Sequence, residues 1–390
     1  MKEKLPLMVL IAVSLVIVLV AGIAIGPGLL SNPPADTGSP SGSTDPSQPP
    51  EQKGTVCVLN KDPDRQAAWQ SLAEAYTAET GIQVQIVSDA SEVRPTLLSV
   101  APGEELPENC VDLSKTDAYT QLADLELSVR DDGGRVLAVA SEVEVFGLVY
   151  NSTLLASTGH TRADISGFRD LTEVVYGIAD SQTRYGFGAF APAVGDEEFL
   201  RKLAALPEQS RDLVDLILNT GFQTGENAEN SALHAFLEGK TVFLLAGSGE
   251  SDTLNAIGSE NLGVLPVYVG NENEENQSLC VSATAYWCID ADAPQADVEA
   301  TVDFLNYLTQ PGEDGSVPVD TLQYMAPYRK ATYVSNMLES VLRYDLARGK
   351  EPVVCRTVKR LPLGLTQALA VYAKDPSDAN WAAVTELLVL

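Results

Sequence analysis

The sequence predicts a mixed α/β protein of two lobes, set behind an N-terminal membrane segment and a disordered linker. Three observations predict it. The chain has 390 residues, 45% of them hydrophobic, which is enough apolar material for two cores of ordinary domain size. A strand, a helix and a second strand follow one another within Thr55–Val87, a βαβ unit that requires a parallel sheet covered by helices. Ahead of them, an apolar run without a charge gives way to a stretch rich in Pro, Ser and Gly.

Taken in order, Lys2 and Lys4 precede the uncharged run Met8–Ile25, which reads as an export signal or membrane anchor. Gly22 and Ala24 are small enough to precede a cleavage site, but the reading favours an uncleaved anchor, and no cysteine closes the run for lipid attachment. From Ser31 to Lys53 the composition cannot bury enough surface to offset chain entropy, so this is a flexible stalk. The β-branched run Thr55–Leu59 is the first strand, and Asp62 and Pro63 mark a helix start. Ala68, Trp69, Leu72 and Tyr76 recur at helical spacing until Gly81 ends the helix, and Ile82–Val87 is the next strand. Further strands are expected at Val143–Tyr150, Thr241–Ala246, Leu262–Val269 (bent by Pro266) and Cys280–Ile289. Helices are expected at Glu197–Leu206, Arg211–Leu218, Ala228–Leu237, Val298–Leu308 and Asn380–Leu390.

Several function classes are excluded or weakened. With 25 Lys and Arg against 54 Asp and Glu, the formal net charge of −29 lacks the basic stripe that nucleic acid requires. The two histidines, His160 and His234, belong to no H-E-x-x-H pattern, and no cofactor motif is present. Gly239-Lys240-Thr241 resembles the end of a phosphate loop, but it closes a helix and opens a strand, the reverse of the required order. Ser248 lacks the flanking glycine pattern of a nucleophile elbow. A hydrolase acting through Glu142 or Glu144 stays a minor alternative, because with 54 acids chance pairs are certain. The five cysteines form no C-x-x-C motif. In an exported chain Cys280 and Cys288 are close enough in sequence to close a short loop, and the odd count leaves at least one thiol free or paired elsewhere.

Four stretches, in shared order and spacing, resemble the extracellular solute-binding proteins of ABC importers, most of all their carbohydrate-binding branch. These are Trp69–Val87, Val143–Leu155, Phe236–Gly249, and Leu262–Gly270 with the helix Ala300–Leu308 that follows. The resemblance implies a type II periplasmic-binding-protein-like fold and a monomer that acts without catalysis, capturing a sugar or other small polar solute outside the cytoplasm. Its partners would be an ABC permease and, through the N-terminal segment, the membrane. A tethered sensor of the same fold is the alternative. Crossings between lobes are expected near Val145–Gly147, Leu265–Val267 and Met325–Pro327. These divide the chain into 55–145 with 266–325 and 146–265 with 326–390, after an anchor (1–30) and a linker (31–54).

The expected cleft residues follow strand ends, where open α/β sheets bind ligands. Asn60, Lys61 and Asp62 follow the first strand, with helix capping as the bland alternative for Asp62. Ser114 and Lys115 follow Cys110–Leu113 in the same way. Glu144 matches a sugar-contacting acid of the maltose-binding pattern. Tyr185, Phe187 and Phe190 offer aromatic faces, and core packing is their rival reading. Ser248, Gly249 and Glu250 offer donors where a strand turns into a helix, and Trp287 is a weaker candidate. Where the maltose-binding pattern has tryptophans, Ser248–Ser251 has no aromatic residue and neither does Leu361–Ala370. That departure favours a solute smaller or more polar than a stacked oligosaccharide.

Overall fold

A computed structural model of the chain describes residues 53–388, apart from 92, 194, 207–210, 222–230, 269–276 and 359–360. The expected anchor Met8–Ile25, and all of the stalk but Lys53, lie outside the described residues. Among the described residues no helix is long and apolar enough to cross a membrane.

The βαβ unit forms as its spacing predicts. Strand β1 (Thr55–Leu59) leads to the helix Gln66–Thr80, which buries Trp69, Leu72, Ala73 and Tyr76. Gly81 stops that helix at φ +73°, its N–H donating to Thr77 O at 2.8 Å, a left-handed cap that glycine adopts without a Cβ penalty. Strand β2 (Gln83–Val87) returns parallel to β1, Thr55 opposite Gln83 and Leu59 opposite Val87. The remaining strands are β3 (Leu97–Val100), β4 (Ser128–Arg130), β5 (Val136–Asn151), β6 (Phe243–Gly247), β7 (Leu262–Leu265), β8 (Cys280–Ile289) and β9 (Val353–Val354).

Two strands change partners along their length. The first part of β5 pairs with β4, its middle runs antiparallel to β8, and its last residues lie between β6 and β7. At its far end β8 pairs with β3, and at its start with β9. One half of the sheet therefore has the order β2-β1-β3-β8-β5-β4, and the other gathers β6, β7 and β9 around the opposite ends of β5 and β8. The result is a mixed α/β fold of two lobes. Between them the β5–β8 register shifts twice, on either side of Glu142, as a bulge does when it bends a strand. A third segment lies against this bend, where Val143 N–H donates to Met325 O (3.0 Å) and Tyr328 Oη to Ala140 O (2.9 Å).

The bend sits just before the expected Val145–Gly147. At the second expected crossing, Leu265–Val267, β7 pairs only with the last part of β5, and the strand that continues between the halves is β8. Pro266 ends β7 without redirecting the chain to the other half. Gly147, at the end of the first expected crossing, makes room for neighbours. A Cβ there would lie 2.8 Å from Leu338 Cδ2 and 2.9 Å from Leu279 Cδ2, so the helix Met337–Ala347 packs close on β5. Gly147→Val is expected to cost about 1–3 kcal/mol by overpacking, read as a lower denaturant midpoint with unchanged slope.

The Cys280–Cys288 bridge is overturned. Both residues belong to the single extended strand β8, and at about 3.3 Å per residue their Cα atoms are about 26 Å apart, far beyond the reach of a disulfide.

Candidate functional site

Three adjoining cavities, of about 200, 400 and 350 Å³, follow β5 and β8 through the bend. The middle cavity shares Arg65, Glu142 and Tyr324 with the first, and Glu144, Gly249 and Thr284 with the third. Together they make one cleft with walls from both lobes.

At the first lobe, Arg65 stands at the start of the helix after β1. Its guanidinium donates twice to Glu142 (2.9 and 3.1 Å) and lies 4.5 Å above the Tyr324 ring, so the bidentate pair locks the bend of β5 to the first helix and to the third segment. Asn60 is buried and spends its amide on structure, donating to Asp62 O (2.8 Å) and Gln66 Oε1 (3.0 Å) and accepting from Asp62 N–H (3.1 Å). Asp62 caps the turn Pro63–Arg65 by accepting from Asp64 N–H. Both residues line the first cavity, as does Lys61, whose exposed ammonium lies 3.6 Å from Glu104. Trp287 forms part of the wall while buried edge-on against Trp69.

The second lobe brings charge to the cleft. Helix Glu197–Ala205 starts at Asp196, whose carboxylate accepts from Glu198 N–H (3.0 Å), and it buries Phe199, Leu200 and Leu203. Lys202 lies on the same buried side, its side chain 6% exposed, in an ion pair with Glu250. Glu250 also accepts from Gly247 N–H (3.0 Å), and Ser248 Oγ accepts from Val145 N–H (3.1 Å), so the turn after β6 is tied to β5. Beyond β9, Thr357 Oγ1 donates to Ala283 O (2.7 Å), holding Arg356 and Thr357 at the cavity wall.

Glu144 lies between these groups. Its Oε1 occupies the space above Gly247, where a Cβ would come within 2.3 Å of it. No described residue makes a hydrogen bond or ion pair to its carboxylate. Burial raises its pKa, with Lys202 acting in the opposite direction. Such a group is an acceptor held without a partner and facing a cavity, able to take hydrogen bonds from hydroxyl or amino groups of a ligand.

Of the expected cleft residues, the fold gathers Asn60, Lys61, Asp62, Glu144, Gly249, Glu250, Ser248 and Trp287 along the cleft. Ser114 and Lys115 instead lie in the turn before the short helix Asp117–Thr120, lining none of the three cavities. Phe187 and Phe190 are buried in the core of the second lobe, Phe187 stacked on Tyr185 at 5.4 Å and Phe190 against Phe243 at 5.4 Å. Arg65, Glu198, Arg201, Lys202, Arg356 and Thr357 line the cleft without having been expected there. Lys202 alone carried a signal, a cation on the apolar face of an amphipathic helix.

The family model of bacterial extracellular solute-binding proteins matches residues 71–314. The chain belongs to that family. The matched part of this solute-binding protein runs from within the helix Gln66–Thr80 to just beyond the helix Gln295–Thr309, and so includes β5, β8, Glu144, Lys202 and Glu250. No curated protein matches the sequence. Among solved structures, a family 1 extracellular solute-binding protein from Bifidobacterium longum subsp. infantis is 14% identical with a TM-score of 0.60, over 86% of this chain and 98% of that one. The apo form of RafE from Streptococcus pneumoniae is 16% identical with a TM-score of 0.58, over 88% and 98%. The bacterial solute receptor AcbH is 13% identical with a TM-score of 0.58, over 86% and 96%. At these identities the likeness is one of fold.

Proposed function

We propose that this family member is the solute-capturing component of an ABC import system, holding a sugar or another small polar solute between its lobes. The observation that carries this reading is Glu144, a half-buried carboxylate with no hydrogen-bond or ion-pair partner among the described residues, facing a cleft walled by both lobes. In this reading the lobes comprise the described residues of 53–141 with 285–325 and of 143–283 with 328–388. The protein works outside the cytoplasm as a monomer held to the membrane by its N-terminal segment, and it does no chemistry on the solute. A ligand touching both walls binds the closed arrangement better than the open one, and that difference alone shifts the population. A membrane permease then reads the closed form.

The cavity volumes suit a small solute. Charged and hydroxyl groups outnumber aromatic faces in the walls, which favours one or two sugar rings over a long stacked chain. AcbH, the solute receptor of similar fold, has an exclusive preference for β-D-galactopyranose. Thermal unfolding against a panel of mono- and disaccharides tests the reading. A true ligand at about 1,000 times its Kd adds about 4 kcal/mol of stability. Stabilisation by another solute class, with none by any sugar, would refute the sugar.

A further inference from the structure

All five cysteines are buried thiols, and four of them meet in two pairs that the cleft reading leaves unused. Cys110 stands opposite Asp290 in an antiparallel bridge, which puts it on the same face as Cys288, two residues back along β8. The two share a small apolar cluster with Val100 and Ala138. Where β8 begins, Cys280 lies beside Val353 in a parallel pairing, and Cys355 follows two residues on, on the same face. The Cys355 N–H donates to Val281 O at 2.7 Å, and both thiols are buried. In each pair the partners come from segments far apart in sequence, so only the fold brings them together.

We propose that the exported protein carries two disulfides, Cys110–Cys288 and Cys280–Cys355, and that Cys57 stays a thiol. Strand pairing and shared burial support both bonds, and an oxidising extracytoplasmic compartment supplies the driving force. Each bond forms as a thiolate attacks the disulfide of an exchange catalyst, and the partner thiolate then displaces the catalyst. Two protein thiols lose two electrons and two protons, and the catalyst disulfide is reduced to its dithiol.

The two bonds have different consequences. Cys110–Cys288 fastens a loop to β8 within the first lobe. Cys280–Cys355 fixes the residue before Arg356 and Thr357, both in the cavity wall, so this second bond braces one side of the ligand cleft. Closing long loops restricts the unfolded chain most.

The inference rests on export, and its test separates the two. The full-length chain is expressed in a bacterial host and fractionated, then denatured with N-ethylmaleimide present and digested for mass spectrometry without reduction. Extracytoplasmic protein is expected to carry one alkylated cysteine, Cys57, and two linked peptide pairs, 110 with 288 and 280 with 355. Five alkylated cysteines in that fraction, or any bridge that includes Cys57, would overturn the proposal. If the chain stays in the cytoplasm, the export reading fails. The pairing is then decided on purified protein incubated with oxidised glutathione, where failure to form either bond overturns it. Reduction of the oxidised protein is expected to lower Tm by about 5 °C. Cys355→Ser is expected to weaken ligand binding about 3-fold or more, whereas Cys57→Ser leaves binding unchanged. An equal effect of the two substitutions would remove the link to the cleft.

Discussion

Lys202→Met is expected to destabilise the protein by about 3 kcal/mol, the lower end of what breaking a buried ion pair costs. The Lys202 side chain is 6% exposed and that of its partner Glu250 is 17% exposed. Without the ammonium, Glu250 keeps one backbone donor, Gly247 N–H, for a charge that remains mostly out of water. Leu245 O also loses a long contact from the same nitrogen at 3.5 Å. Because Glu250 stays in the turn that meets β5, the damage extends to the cleft. Urea unfolding should move the midpoint down with the slope unchanged. Adding Glu250→Gln to Lys202→Met should recover most of the loss, since the pair then disappears as a pair. A loss below about 1 kcal/mol for the single change would mean that the ion pair is more solvated than its burial implies.

Glu144→Gln is expected to weaken ligand binding about 10- to 100-fold, the range for a hydrogen bond to a charged group. Stability should move the other way. Burial raises the folded-state pKa of this carboxyl, so its protonated form is the one folding favours. The associated stability is present below the unfolded pKa and is lost as pH rises through the folded value. At neutral pH the carboxylate is therefore a cost to folding that the amide removes. Binding has the opposite sign, because the ionised form is the better acceptor for ligand hydroxyls. Wild-type affinity should fall as pH drops into the raised titration range, beginning above that of an ordinary carboxylate, while the Gln variant stays flat. Calorimetric titrations between pH 7.5 and 5 measure both trends. Equal affinity of the two proteins at neutral pH would remove Glu144 from the site.

Local signals in the sequence were the ones the fold obeyed. The helix after β1 and its two strands were legible because apolar spacing, the Asp62-Pro63 start and the Gly81 stop all agree. Strand β5 was read only from Val143, since Ser141, Glu142 and Glu144 interrupt the apolar run just where the strand turns toward the cleft. Pro266 suggested a crossing, yet it only ends β7. In the cleft, the turn Ser248–Glu250 was legible from its place after a strand, and Glu144 from its resemblance to a family pattern. Arg356 and Thr357 were not, because they reach the wall through β9 and Ala283, a contact that no local pattern encodes. Lys202 was hidden by convention, since a lysine on an amphipathic helix is ordinarily assigned to solvent. Phe187 and Phe190 went to the core, as large aromatic side chains usually do.

The bare backbone at Gly247 has an energetic meaning beyond fit. A free glutamate samples many rotamers, and freezing one removes up to about 1.5–2 kcal/mol of side-chain entropy. With Oε1 packed over the Gly247 Cα, that ordering is complete when the chain folds. An arriving solute then meets an acceptor already aimed, and its binding free energy is not reduced by immobilising it.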